Sequence, residues 1–109
     1  MADTIKVLSQ TTPGATTLTD SYTVPALTSA IISSIVICNQ SAVATAFRVS
    51  IAVAGAADVA KQYIYYDIAI AGNATFIATV GISLATTDVI RVYNTLATLS
   101  FNVFGVEIT

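Results

Sequence analysis

The chain has no histidine, no tryptophan and one cysteine among 109 residues, with only four Lys or Arg and six Asp or Glu. Without histidine the commonest general base and metal ligand is missing. A Ser-His-Asp or Cys-His arrangement cannot assemble within one chain. One cysteine and no histidine leave no zinc site of familiar type. Cys38 has no internal disulfide partner and is expected to be a small, buried apolar residue. The five glycines are dispersed, so no phosphate loop forms ahead of a Lys or Arg. No basic run exists, and four scattered cations cannot displace the counterions of a nucleic acid. The opening MADTIKVLSQ lacks a basic start followed by an apolar run, so no signal peptide is expected. Nucleic acid, membrane, cofactor, metal and small-molecule substrate are all absent from the expected partners.

What is present is apolar. Hydrophobic residues make up 55% of the chain and charged residues 9%, against roughly 25% charged in an ordinary globular protein. Disordered chains are hydrophilic and charged, so disorder is excluded. The length suits one domain, residues 1–109. A chain of this size buries about two thirds of the surface it exposes when unfolded.

The segment YIYYDIAIAGNATFIATVGISL, Tyr63 to Leu84, is long enough to cross a membrane and carries one charge, Asp67. Its period says otherwise. Before Gly72-Asn73, Ile64, Tyr66, Ile68 and Ile70 alternate with Tyr63, Tyr65, Asp67 and Ala69. After it, Phe76, Ala78, Val80, Ile82 and Leu84 alternate with Thr75, Ile77, Thr79, Gly81 and Ser83. Period two marks strands, and the Gly-Asn pair suits a tight turn. Two strands joined as a hairpin are expected.

The same rhythm runs through the chain. Thr4 to Ser9 reads as a strand. In Thr17 to Val24, Leu18, Asp20, Tyr22 and Val24 share a face, and Pro25 ends the run because it has no N–H for a ladder. Ser29 to Cys38 is nearly all apolar, which predicts burial on both faces. Phe47, Val49, Ile51 and Val53 alternate with Arg48, Ser50, Ala52 and Ala54. Residues 55–61 read as a loop with a helical turn. Ile90 and Val92 oppose Arg91 and Tyr93. In Leu99 to Ile108 the apolar phase slips between Val103 and Phe104, which predicts a bulge near Gly105 or burial on both sides. Asn39-Gln-Ser and Asn73-Ala-Thr read as turns rather than glycosylation sites. The expected fold is all-β: a single small β-sandwich or barrel of about eight antiparallel strands, jelly-roll-like.

No catalytic residue stands out. A glycosidase needs two carboxyls about 5–10 Å apart, and Asp67, Asp20 and Glu107 lie in strands. The plainer expectation is that Asp67 pairs with Arg48 or Arg91 on the outer sheet face or across a subunit contact. Asp3, Asp58 and Asp88 lie near turns, where aspartate bonds to backbone N–H groups. Tyr63, Tyr65 and Tyr93 fall opposite the expected core positions, and an exposed aromatic row anchors protein interfaces or stacks on sugar rings. Outward positions otherwise read Thr, Ser and Ala, where a dispersed monomer would carry charge. Large neutral apolar faces mark contacts. Tyr63, Tyr65, Tyr93, Arg48, Arg91, Asp67 and Lys6 are therefore the expected protein-interface residues, with residues 1–12 as an N-terminal arm.

Five stretches carry a resemblance: TTLTDSYTVP, SSIVICN, FRVSIAVAG, KQYIYYDIAI and DVIRVYNTLATLSFNVFGVEI. Together they resemble small β-rich virion proteins of tailed bacteriophages, especially phages of aquatic bacteria including cyanobacteria. The KQYIYYD and RVYNTLATLSFNVFG blocks are the most specific. They are packing and turn patterns, so no active residues are implied. The resemblance implies a non-enzymatic capsid decoration or cement protein, commonly a trimer. Such a protein is made in the bacterial host cytoplasm and sits on the capsid surface over the major capsid protein. The alternative is a tail, baseplate or fibre component that binds carbohydrate.

Overall fold

The computed structural model describes residues 2–109, so Met1 of the expected arm lies outside the described residues. Nine strands form two antiparallel sheets. They are β1 (Asp3–Thr11), β2 (Thr19–Thr23), β3 (Ser29–Asn39), β4 (Thr45–Ala52), β5 (Tyr63–Ile70), β6 (Thr75–Ala78), β7 (Ile82–Leu84), β8 (Val89–Asn94) and β9 (Leu99–Ile108). Sheet A runs β1-β9-β3-β6, with β7 also on β3; sheet B runs β2-β8-β4-β5. The residues expected as an arm are, from Asp3 to Thr11, the edge strand of sheet A on β9.

Pairing is nested. First pairs with last, β1 with β9; then β2 with β8; then β3 with β6 and β7; then β4 with β5. The chain is thus a long antiparallel hairpin rolled into two layers. Alternation supplies the core. Ile32, Ile35 and Ile37 from β3 and Phe101 and Val103 from β9 meet Phe47 and Val49 from β4 and Ile90 and Val92 from β8, all fully buried. Each such side chain contributes about 1.5–3 kcal/mol. Phe47 packs against Phe76 at 5.1 Å and Phe101 at 6.3 Å between ring centroids, which ties the sheets together.

Several expectations are corrected. Gly72-Asn73 does make a tight turn, with Asn73 at φ 55° and its N–H bonded to Ser41 O. It does not make a hairpin: β5 belongs to sheet B and β6 to sheet A, so the turn carries the chain between layers. The run expected as one strand after it is two, β6 and β7, because the Ser33 bulge in β3 interrupts their shared partner. β3 is buried on one face only; Ile31 is exposed and Cys38 is half-buried. Val53 leaves the strand for a 3₁₀ turn (Val53–Gly55) and is exposed. Asp20 does not share a face with Tyr22, because the ladder to β8 shifts between them.

The phase slip near Gly105 has a cause in the neighbouring strands. β9 keeps strict alternation, while β1 shifts register between Val7 and Ser9 and β3 between Ile32 and Ser34. Both shifts fall opposite residues 103–105. Gly105 admits the close approach: a Cβ there would lie 2.1 Å from Ile31 O.

Candidate functional site

Sheet B places a cationic-aromatic cluster on its outer face. In β4, Phe47 and Val49 point inward, so Arg48 points out. Its ladder partner on β8 is Tyr93, which lies beside it. The third contributor comes from irregularity in β5. The β4–β5 ladder shifts register between Phe47 and Val49, and Asp67 takes a left-handed φ of 53°, a conformation aspartate tolerates better than most residues. The bulge turns both Tyr66 and Asp67 outward.

Arg48 then has partners on every side. Its Nε donates to Asp67 Oδ1 at 2.6 Å and its Nη2 to Oδ2 at 3.3 Å. The guanidinium carbon sits 4.1 Å from the Tyr66 ring centroid and 4.5 Å from that of Tyr93. Stacking of this kind contributes about 0.5–1 kcal/mol at an exposed site. The hydrogen bond from Arg48 to Asp67 holds the guanidinium above its ordinary pKa. Tyr63 meets Tyr66 edge to face at 5.1 Å, and its hydroxyl donates to Asp58 Oδ2 at 2.9 Å. Burial, then that hydrogen bond, raises the Tyr63 phenol pKa. Arg48, Asp58, Val59, Ala60, Tyr63 and Tyr66 line an open cleft of about 510 Å³.

The lip of the cleft is clipped from β8. Arg91 Nε donates to Asp20 Oδ1 at 3.0 Å, Nη1 to Ala56 O at 2.8 Å and Nη2 to Gly55 O at 3.2 Å. Buried Asp88 accepts from Ala54 N and Ala85 N, both at 2.9 Å. It thereby supports Ala54 in its left-handed conformation, φ 53°. Arg91 works as a loop clip, with each guanidinium nitrogen engaged.

Lys6 stands elsewhere, at one end of the sandwich. Glu107 continues the inward phase of β9, where its carboxylate pairs with Lys6 Nζ at 2.7 Å and accepts from Tyr22 Oη at 2.5 Å. Tyr22 is in sheet B, so this bond crosses between the layers. Hydrogen bonds from Lys6 and then Tyr22 hold the Glu107 carboxyl below its ordinary pKa, against burial. Burial first, then Glu107, pushes the Tyr22 phenol well above its usual value.

The outer face of sheet A is different in kind. Ladder partners share a face, so Ile5, Val106 and Ile31 form one cross-strand row, and Val7 sits beside Phe104. Val36 pairs with Ile77 further along. Ile5 is 85% exposed, Ile77 64% and Ile31 44%. Among the described residues Asp3, opposite Ile108 at the end of β1, is the one charged side chain of this face; Lys6 and Glu107 turn inward to each other.

Of the expected interface residues, the structure brings Arg48, Asp67, Tyr63 and Tyr93 into one cluster. Arg91 and Lys6 lie outside it. Tyr65 is corrected: the bulge shifts the phase of β5, so it packs inward against Phe47 at 6.1 Å and Phe76 at 5.4 Å. Tyr66, expected in the core, takes the outward place and is 56% exposed. The one signal in the sequence for that exchange is Asp67 itself, a residue suited to a left-handed bulge in an otherwise apolar run. Among the described residues no three His, Cys, Asp or Glu side chains gather as a metal site needs. In comparisons with family models, curated proteins and solved structures, nothing matches the chain.

Proposed function

We propose that the chain is a non-enzymatic structural protein of a bacteriophage virion. In this reading it is a capsid decoration or cement protein that binds the outer surface of the major capsid protein and itself, and stabilises the shell. One observation carries the reading: the outer face of sheet A is largely uncharged, with Ile5, Ile31 and Ile77 open to solvent in the single chain and Asp3 its one charged side chain among the described residues. Soluble monomers rarely leave such a patch uncovered. The nested strand pairing supports a jelly-roll reading, an architecture used by viral capsid and lectin domains. Fold alone does not assign function, so the weight rests on the surface and on the likeness to phage virion proteins.

The acidic groups argue the same way. Asp20, Asp67 and Glu107 are ion-paired, Asp88 holds backbone N–H groups and Asp58 accepts from Tyr63. Five of the six side-chain carboxylates are therefore engaged in ion pairs or hydrogen bonds within the chain. A subunit that binds only the assembled shell stabilises it by mass action.

The test is co-sedimentation of the purified chain with shells from the encoding phage that lack it, followed by heating. Binding with a raised disruption temperature is expected. Failure to pellet at saturating concentration would overturn the reading. The cleft favours a second reading, a tail or fibre component that binds carbohydrate, because half-exposed Tyr66 stands beside Asp58 and Arg48. Selective binding on a glycan array, lost in Tyr66→Ala, would transfer the assignment to it.

A further inference from the structure

We propose that the outer face of sheet A is the contact between two copies of this chain, stacked face to face about a two-fold axis. The inference rests on the reading of the chain as a structural subunit and names which surface meets which partner. Four strand widths at a spacing of about 4.8 Å, and the ten residues of β9 at about 3.4 Å each, give a face of roughly 650 Å². Two such faces bury about 1,300 Å², within the roughly 1,200–2,000 Å² of a standard stable interface. The face is thus large enough for a pair, and its chemistry fits one.

Sheets stack face to face about 10 Å apart through apolar side chains. Ile5, Val7, Ile31, Ile77, Phe104 and Val106 supply them here. A two-fold contact sets a surface against itself, so any charge on it meets a like charge or an apolar group. This face nearly avoids that problem: its one charged side chain among the described residues is Asp3, at the outer end of β1, while Lys6 and Glu107, which flank the face in β1 and β9, neutralise each other on the inner side at 2.7 Å. A different protein partner would be selected by charge complementarity, and most of the charged groups that could provide it lie on the sheet B side, at Arg48 and Asp67 and at Asp58 in the loop between β4 and β5. Sheet A is then left for the copy and sheet B for the shell. The stack is two-fold, in place of the three-fold assembly that the resemblance implies.

The test is the solution mass of the full chain by sedimentation equilibrium from 1 to 200 μM, with Ile31→Lys and Ile77→Lys as interface variants. Val53→Lys, an exposed apolar position off the face, is the control. Thermal melts by circular dichroism verify that each variant folds; Ile77, on a peripheral strand, serves if Ile31→Lys does not. The expected result is twice the 11.3 kDa of one chain for wild type and Val53→Lys, and a single mass for a folded lysine variant of the face. A wild type of single mass throughout, or a pair that survives in folded Ile77→Lys, overturns the stack. A mass of three chains also overturns it. Shell binding by a chain that stays single would sink this inference while leaving the proposed function standing; no shell binding by a chain that pairs would do the reverse.

Discussion

Replacing Tyr22 with phenylalanine isolates the bond that joins the two sheets at the Lys6–Glu107 end. The ring, buried in the core, is kept, and only the hydroxyl that donates to Glu107 at 2.5 Å is lost. The Glu107 side chain is only 12% exposed, so water replaces the lost donor poorly. A hydrogen bond to a charged group is worth about 1.5–3 kcal/mol, and in a chain near 100 residues this lowers Tm by about 10 °C. The pH dependence gives the sharper reading. Glu107 has a folded pKa below its ordinary value of 4.5, so its contribution is present above that value and is lost as pH falls through the depressed one. The Tyr22 phenol is shifted the other way, so its proton stays available below its ordinary value of 10.0 and leaves only as pH rises well beyond it. Thermal melts of wild type and Tyr22→Phe should therefore differ by about 10 °C at pH 7 and by about half of that in acid strong enough to protonate Glu107, where a neutral pair remains worth about 1 kcal/mol. An equal gap at both pH values, or none at pH 7, would refute the charge-assisted bond.

Tyr65→Ala should destabilise the fold by about 2–4 kcal/mol in chemical denaturation, because the ring packs between Phe47 and Phe76. Tyr66→Ala should cost less than about 1 kcal/mol, since it removes surface stacking on Arg48; the reverse order would contradict the bulge at Asp67. Gly105→Ala places a methyl group 2.1 Å from Ile31 O, and backbone cannot rotate away as a side chain can. A loss of about 3 kcal/mol or more is expected from forcing β9 off β3, and a thermal melt equal to wild type would contradict that register.

Strand identity was legible because alternation is written directly in residue type. The inward phase of Phe47, Val49, Ile90 and Val92 follows from period alone, and they lie at the centre of the core. What period two cannot carry is a change of phase. Four ladders shift register, near Leu8, Ser21, Ser33 and Asp67, and one extra residue reverses every side chain beyond it. This is why Tyr65 and Tyr66 exchange faces, and why Asp20 leaves the face of Tyr22. The Gly72-Asn73 turn was readable as a turn, yet a tight turn is local and says nothing about which sheet takes the next strand. The Arg48 cluster was half legible: the outward phase of Arg48 and Tyr93 follows from regular strands, whereas Tyr66 depends on the bulge. The Tyr22–Glu107 bond joins residues 85 positions apart, and no local pattern records it.

Electron cryomicroscopy of virions carrying this chain is the most direct measurement of the central claim. The account predicts a sandwich of about 45 × 27 × 19 Å on the outside of the head, with the row Ile5–Val106–Ile31 against other protein. A particle in which the same row faces open solvent would contradict it.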